Sequence, residues 1–182
     1  PLKGEVYIDG AKNSALPILA ATLLAEGTTV IENIPNLTDI DIMCRLLKIS
    51  GAKIKRNFEK KTVEIDATSL TFGELPEEHV RKIRASFLLA GPLLARNKRV
   101  NIQMPGGCPI GVRPIDLHLK GLYLLGAKIK QSHGVIELKC EKLKGTQIHL
   151  DFPSVGATIN LILAATYAKG KTTIKNAAKE PE

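Results

Sequence analysis

The chain has 182 residues, of which 44% are hydrophobic, and its formal net charge is +8. This length can form one domain, or one domain and part of another, around a sizeable core. No apolar run approaches the ~20 residues that span a bilayer and there is no signal-peptide pattern, so the sequence predicts a cytoplasmic protein that does not bind membranes.

The cysteine and histidine positions argue against a metal site. The three cysteines, Cys44, Cys108 and Cys140, are too widely spaced for a disulfide scaffold or a Cys-x-x-Cys zinc site, and the four histidines have no ligand spacing. We therefore expect neither a metal nor a cofactor. The positive charge predicts anionic partners, and the shortage of aromatic residues makes phosphorylated small molecules better candidates than nucleic acid.

The first part of the chain alternates predicted strands and helices. Apolar residues recur at helical spacing after Lys12 and again after Thr38, and glycines follow both runs. Pro17 is tolerated if it lies in the first turn of its helix. The predicted elements are a strand at Gly4–Ile8, a helix at Ser14–Glu26, a strand at Thr28–Glu32, a helix from Thr38 to Ile49, and paired strands at Ala52–Lys55 and Thr62–Asp66.

The same order then recurs along the chain. The letters Gly51-Ala52-Lys53-Ile54-Lys55 reappear as Gly126-Ala127-Lys128-Ile129-Lys130. The second unit is predicted to contain a helix at His79–Arg96 kinked at Gly91-Pro92, a strand at Val100–Met104, a helix at Pro114–Leu125, and strands at Ala127–Lys130 and Val135–Lys139. A third unit contains a strand at Gln147–Asp151, a helix at Ser154–Ala168 and a strand at Thr172–Lys175.

These repeats predict an α/β fold with pseudo-threefold βαβαβ units at about residues 12–75, 76–145 and 146–182, the third being incomplete. Each unit has apolar faces that need a neighbour, which favours a closed arrangement of helix pairs and sheets.

Cys108 lies in a loop between a predicted strand and helix, within Pro105-Gly106-Gly107-Cys108-Pro109. Arg113 and the following helix N-terminus favour the thiolate, and would lower the thiol pKa below its usual ~8.5. An exposed turn that happens to contain cysteine explains the same letters equally well. Asp116 and His118 follow in the first helical turn, where Asp116 is consistent with a helix cap.

Polar or cationic residues begin the first helix of each unit. If the threefold repeat is right, these helix N-termini lie side by side, and their free amides converge on one anion. With Arg113 they would form a phosphate or carboxylate site with Cys108 at its rim. Each could instead be a solvated helix end, and for Lys82 that interpretation is preferred. The residues are Lys12 and Asn13; Arg81, Lys82 and Arg84; and Ser154 with Gly156.

Several motifs together resemble the bacterial UDP-N-acetylglucosamine enolpyruvyl transferases, and they cover the whole chain in order. The motifs are Gly10-Ala11-Lys12-Asn13, Arg84-Ala85-Ser86, Pro105-Gly106-Gly107-Cys108, Gly111-Val112-Arg113-Pro114-Ile115-Asp116-Leu117-His118, Asp151-Phe152-Pro153-Ser154-Val155-Gly156-Ala157-Thr158 and Asn176-Ala177-Ala178-Lys179-Glu180-Pro181-Glu182. The resemblance implies an inside-out α/β barrel of two domains with three repeats each. Residues 1–11 would then be a strand of the other domain with the crossover, and residues 12–182 the domain that carries the cysteine loop.

The resemblance also implies a reaction and roles for individual residues. The family transfers enolpyruvyl from phosphoenolpyruvate to the 3-hydroxyl of UDP-N-acetylglucosamine by addition and elimination, the first committed step of peptidoglycan precursor synthesis. Cys108 matches the general acid, which can also form a covalent adduct. The remaining matches are Lys12 and Asn13 for phosphoenolpyruvate and the tetrahedral intermediate; Arg84 and Arg113 for phosphates; and Arg113, Pro114, Ile115, Asp116, Leu117, Phe152, Pro153, Ser154 and Val155 for the uridine diphosphate.

Two aspects of the resemblance limit what this chain is expected to do alone. Phe152 replaces a lysine of other members, which removes a charge contact to the nucleotide. The family's aspartate base belongs to the second domain of the same chain, so we expect these 182 residues to be inactive by themselves. The alternatives are a shikimate-pathway enolpyruvyl transferase, which the cysteine loop argues against, and a non-catalytic module that binds phosphorylated ligands or RNA.

Overall fold

The computed structural model describes residues 1–71, 74–105 and 114–181, so Cys108 and Arg113 lie outside the described residues. The described α-helices are α1 Lys12–Ala21, α2 Thr38–Ile49, α3 Glu77–Val80, α4 Ala90–Asn97, α5 Asp116–Leu124 and α6 Val155–Ala165. The 3₁₀ helices are Thr22–Leu24 and Arg84–Leu89. The strands are β1 Thr28–Ile31, β2 Lys53–Asn57, β3 Thr62–Asp66, β4 Glu74–Leu75, β5 Arg99–Gln103, β6 Lys128–Ser132, β7 Val135–Lys139, β8 Gln147–His149 and β9 Thr173–Lys175.

Equivalent hairpins form one side of each of the first two sheets. The first sheet has the antiparallel order β1-β3-β2, and the second has the order β4-β5-β7-β6, in which only β4 and β5 run parallel. Ile54 lies opposite Ile65 in one hairpin and Ile129 lies opposite Leu138 in the other, so the repeated letters occupy the same register. The predicted repeat is confirmed for these two units.

The third unit contains a parallel pair, β8 and β9, with α6 between them in the chain. All three elements were predicted, with ends that differ by a few residues. Among the described residues, every helix is too short or too polar to cross a membrane, and no cluster of three or more His, Cys, Asp or Glu is arranged to hold a metal ion.

Helix α6 packs against both α4 and α5, and glycine makes each contact close. A Cβ atom on Gly91 of α4 would lie 2.5 Å from Oδ1 of Asn160, and one on Gly121 of α5 would lie 2.4 Å from Cδ1 of Leu161. A side chain at Gly91 would press against the backbone of α6, which cannot move without separating the helices, whereas one at Gly121 would displace the side chain of Leu161. The packing of α5 on α6 extends to the beginnings of both helices, where Gly156 lies against His118.

The predicted strand at Gly4–Ile8 is wrong for this structure, in which residues 1–11 form no helix or strand. The side chains of Tyr7 and Ile8 are 92% and 90% exposed. A strand needs a neighbour for its backbone hydrogen bonds, and none of the described strands pairs with this segment. The assignment of residues 1–11 to another domain stays a prediction.

The predicted helix at His79–Arg96 is also wrong as a single element. It is divided into α3, the 3₁₀ helix Arg84–Leu89 and α4, and Pro92 lies in the first turn of α4, where proline is tolerated. The break before Arg84 coincides with the extended backbone of Ile83, whose φ and ψ are −136° and 132°. The short strand β4 was not predicted, because two residues carry no periodic signal.

Helix α1 begins two residues earlier than predicted, so Pro17 lies in its second turn instead of its first. Proline has no amide hydrogen, and the carbonyl oxygen of Asn13 therefore has no helical donor from residue 17. Asn13 and Pro17 both line the cavity described next.

Candidate functional site

Four helix beginnings meet at one cavity of about 210 Å³. Asn13 of α1, Arg84 of the second 3₁₀ helix and Gly156 of α6 line it, and Ile115 and His118 form the wall at the start of α5. Each of the three predicted groups of residues contributes to this lining, but Arg84 begins a 3₁₀ helix instead of the predicted helix at His79–Arg96, and Arg81 and Lys82 do not line the cavity. The start of α5 is a fourth member that was not predicted. Apolar side chains supply much of the remaining surface, namely Leu16, Pro17, Phe87, Leu88 and Ile159.

The N-terminus of α6 offers free amides at the cavity. Ser154 is the N-cap, and its Oγ accepts a hydrogen bond from the amide of Ala157 at 3.3 Å. The amides of Val155 and Gly156 precede the first intrahelical hydrogen bond, so neither has a helical carbonyl to bind. Partial positive charge at this end favours an anion, and the low polarity of the surrounding walls strengthens the interaction between the two.

Several cationic residues were predicted at helix beginnings. Among those that the structure describes, Arg84 is the one that lines the cavity. Its Nη2 donates to the carbonyl oxygen of Pro114 at 3.3 Å, which ties the 3₁₀ helix to the start of α5. Lys12 instead forms an ion pair with Asp39 at 2.8 Å, and Arg81 pairs with Glu77 at 2.9 Å. An anion that used Lys12 would compete with the Asp39 carboxylate.

A buried hydrogen-bond network lies behind the cavity. Asn160 of α6 is fully buried; its Oδ1 accepts from the amide of Gly91 at 2.8 Å, and its Nδ2 donates to the carbonyl of Phe87 at 3.1 Å. The same Nδ2 lies 3.1 Å from Nδ1 of His118. The His118 ring meets Phe87 edge to face with 5.2 Å between centroids, so both neighbours restrict its rotation.

The pKa of His118 is lowered to about 4 from its ordinary value of 6.5. Burial is the main cause, the positive charge of Arg84 adds to it, and Asp116 acts in the opposite direction. His118 is therefore neutral at physiological pH. A neutral ring beside Arg84 avoids a repulsion between two cations at the cavity wall.

The residues predicted for nucleotide binding occupy two neighbouring loops and helix ends. Phe152 is 55% exposed, and Pro153, Val155, Pro114 and Asp116 are also exposed. Ser154 is partly buried, as the cap requires, while Ile115 and Leu117 are buried in the core. Of these, Ile115 and Val155 line the cavity. Cys108 and Arg113 lie outside the described residues.

A second cavity of about 490 Å³ adjoins the first along α6, and Asn13, Val155 and Ile159 line both. Thr158 also lines the second cavity, and its Oγ1 accepts from the amide of Ala178 at 3.0 Å. The segment after β9 is thereby attached to α6.

The family profile of EPSP synthase (3-phosphoshikimate 1-carboxyvinyltransferase) matches residues 1–182. The chain belongs to the EPSP synthase family. Over 181 residues it is 56% identical to UDP-N-acetylglucosamine 1-carboxyvinyltransferase 2 of Carboxydothermus hydrogenoformans, covering 100% of this chain and 43% of that protein. Over 182 residues it is 53% identical to UDP-N-acetylglucosamine 1-carboxyvinyltransferase of Halothermothrix orenii, covering 100% and 43%.

Two solved structures share the fold. The enolpyruvyl transferase NikO from Streptomyces tendae superposes with a TM-score of 0.85 at 23% identity, over 99% of this chain and 42% of that one. EPSP synthase from Acinetobacter baumannii gives 0.74 at 22% identity, over 98% and 40%. The predicted α/β fold of the enolpyruvyl transferase type is confirmed. The chain spans less than half the length of these relatives.

The sequence analysis did not identify Asn160 and assigned no role at the site to His118. One signal was present: Asn160 is a polar residue on the apolar face of α6, which also carries Ala157, Leu161 and Ala164. A buried amide at such a position needs specific partners, because an unsatisfied polar group in the core is costly. Its partners, however, come from three other helices: α4, the second 3₁₀ helix and α5.

Proposed function

We propose that this chain forms one wall of an active site that transfers enolpyruvyl from phosphoenolpyruvate to the 3-hydroxyl of UDP-N-acetylglucosamine. The observation that supports this most is the cavity where the beginnings of α1, the second 3₁₀ helix, α5 and α6 meet. Both substrates carry phosphate groups, and free helix amides beside a guanidinium group suit such anions. Relatives at 56% and 53% identity carry the name of this activity.

The proposed reaction passes through a tetrahedral intermediate and then loses phosphate. Cys108 is proposed to donate a proton to C3 of phosphoenolpyruvate while the oxygen of the sugar 3-hydroxyl adds to C2. In a separate reaction the sulfur of Cys108 adds to C2 while C3 takes up a proton, which gives the covalent adduct. Lys12 and Asn13 hold phosphoenolpyruvate and the intermediate in this proposal, while Arg84 and Arg113 neutralise phosphate charge. Fixed donors and cations stabilise charge that develops in the transition state without needing to reorganise.

Nucleotide binding is proposed for the two loops that flank the cavity, 113–117 and 152–155. Asp116, exposed at the start of α5, and the amides at the N-terminus of α6 are positioned to contact polar groups of the ligand. The buried side chain of Leu117 leaves its backbone as the part that can contact a ligand. Phe152 offers an exposed ring in place of a charge.

The wider context is also a proposal. The reaction is the first committed step of peptidoglycan precursor synthesis and takes place in the cytoplasm, and it contributes to the cell wall, cell shape and cell division. The aspartate base and further arginines would come from a second domain of the same chain. The shikimate-pathway reaction is the weaker candidate, since a solved EPSP synthase is 22% identical and the curated relatives above 50% carry the UDP-N-acetylglucosamine name.

Calorimetric titration of the chain tests the proposed ligand class. UDP-N-acetylglucosamine is expected to bind with one site, whereas an RNA oligonucleotide is expected to bind weakly and to lose affinity steeply between low and high salt. Arg84→Ala is expected to weaken sugar nucleotide binding about tenfold or more, as loss of a charged hydrogen bond does. Lys82→Ala is the matched control, because Lys82 is exposed and does not line the cavity. Tight RNA binding without sugar nucleotide binding would favour the non-catalytic module.

Turnover gives a second test. The 182-residue chain is expected to release no phosphate from phosphoenolpyruvate and UDP-N-acetylglucosamine, because in this proposal the base belongs to another domain. Measurable enolpyruvyl transfer by the chain alone would contradict that division of the site.

A further inference from the structure

The buried amide of Asn160 has one possible orientation. The amide of Gly91 can only donate and the carbonyl of Phe87 can only accept, so Oδ1 faces Gly91 and Nδ2 faces Phe87. Reversing the amide would place two donors against each other and two acceptors against each other. The second hydrogen of Nδ2 is therefore directed at Nδ1 of His118, 3.1 Å away.

This orientation decides which nitrogen of His118 carries the proton. Nδ1 receives a hydrogen from Asn160 and so must be the acceptor, which leaves the proton of the neutral ring on Nε2. A ring with a proton on Nδ1 would point one hydrogen at another. The side chain is 4% exposed, so water has little access to relieve that conflict.

The Nε2 edge of the ring lies against Gly156, which lines the cavity. A Cβ atom on Gly156 would lie 3.3 Å from both Nε2 and Cε1, so this edge lies against the first turn of α6. His118 lines the cavity together with Asn13 and Arg84. Within the described ranges, the hydrogen bonds found for the ring are limited to the one with Asn160, and Nε2–H remains available to a ligand.

We propose that Asn160 is a positioning residue that fixes His118 in the Nε2–H form, so that the ring presents a neutral donor to a ligand oxygen in this cavity. The inference has two halves: the positioning of His118 by Asn160, and the hydrogen bond from His118 to a ligand. The ligand half rests on the proposed function, because the oxygen would belong to the sugar nucleotide. A neutral donor adds a hydrogen bond beside Arg84 without adding a second positive charge. Gly156 completes the arrangement, since a side chain there would crowd the donor edge.

The tautomer can be observed directly, without a ligand. In long-range ¹H–¹⁵N spectra of the chain labelled with ¹⁵N-histidine, Nδ1 of His118 is expected at the shift of an unprotonated nitrogen and Nε2 at that of a protonated one. The signals are assigned by their loss in His118→Gln. Asn160→Asp keeps an acceptor for Gly91 but replaces the donor that faces His118, so Nδ1 is expected to become protonated. A wild-type ring with its proton on Nδ1, or a mixture of both forms, would overturn the positioning role.

Two substitutions of His118 separate the cavity donor from the structural contact. His118→Gln places an amide nitrogen near the position of Nε2, whereas His118→Asn places an amide oxygen near Nδ1 and removes the cavity donor. In calorimetric titration with UDP-N-acetylglucosamine, His118→Gln is expected to bind within about threefold of wild type and His118→Asn about tenfold more weakly. The opposite order, or equal loss in both, would show that the ring acts only by packing. If wild type does not bind the sugar nucleotide, the proposed function and the ligand half both fail, while the spectra still decide the positioning role.

Discussion

Replacing His118 with glutamine is predicted to remove a pH-dependent part of the stability of this chain. The folded chain keeps the ring neutral down to about pH 4, because burial and then Arg84 disfavour its charged form. In the unfolded chain the ring takes up a proton as the pH falls through about 6.5. The unfolded state therefore binds more protons between these values, and the free energy of unfolding falls as the pH falls from about 6.5 to 4.

The size of this effect follows from the two pKa values. At about 1.4 kcal/mol per pH unit between them, the loss reaches about 3 kcal/mol at the acidic end and is about 2.5 kcal/mol at about pH 4.5. Above about pH 6.5 both states are neutral, so the ring contributes no pH dependence there. Carboxylates also titrate in acid, but they do so in wild type and variant alike.

Urea denaturation followed by circular dichroism measures this difference. Free energies of unfolding are compared at about pH 7.5, 6, 5 and 4.5 for wild type, His118→Gln and the control His149→Gln, whose histidine is exposed on β8. Wild type and the control are expected to lose about 2.5 kcal/mol more than His118→Gln across this range. Parallel profiles for all three proteins would refute the burial of a neutral ring at this site.

Two further predictions concern helix packing and the thiols. Gly91→Ala is expected to lower the free energy of unfolding by about 1–3 kcal/mol, because its Cβ would lie 2.6 Å from the backbone oxygen of Asn160, which cannot move cheaply. A free energy of unfolding equal to that of wild type in urea denaturation would contradict this. Labelling with a thiol reagent at neutral pH is expected to show one cysteine that reacts fast, and this fast reaction is expected to be absent from Cys108→Ser. The reason is that Cys44 and Cys140 are buried, and burial raises the pKa of the Cys44 thiol. Fast reaction of either buried thiol would contradict this prediction.

The elements that could be predicted from sequence have strong local signals. The helices α2 and α6 and the hairpin of β2 and β3 follow from periodicity, glycine positions and repeated letters. The strand predicted at Gly4–Ile8 failed because a strand depends on its neighbour as well as on its own residues. The helix predicted at His79–Arg96 failed because apolar spacing does not reveal a change from 3₁₀ to α geometry.

The candidate site was only partly predictable for a similar reason. Polar residues near helix beginnings, such as Asn13 and Arg84, could be named from sequence because a helix start has its own local signal, although the start at Arg84 itself was not predicted. Asn160 and His118 are 42 positions apart in the chain and lie on different helices. Only the close packing allowed by Gly91 and Gly121 brings these side chains together.

The central claim is that the meeting point of four helix beginnings holds a phosphorylated ligand. Amide chemical shifts of the ¹⁵N-labelled chain during titration with UDP-N-acetylglucosamine test it most directly. The largest changes are expected at Asn13, Arg84 and Gly156, which line the same cavity. Changes confined to the outer strands, or none at saturating ligand, would contradict the claim.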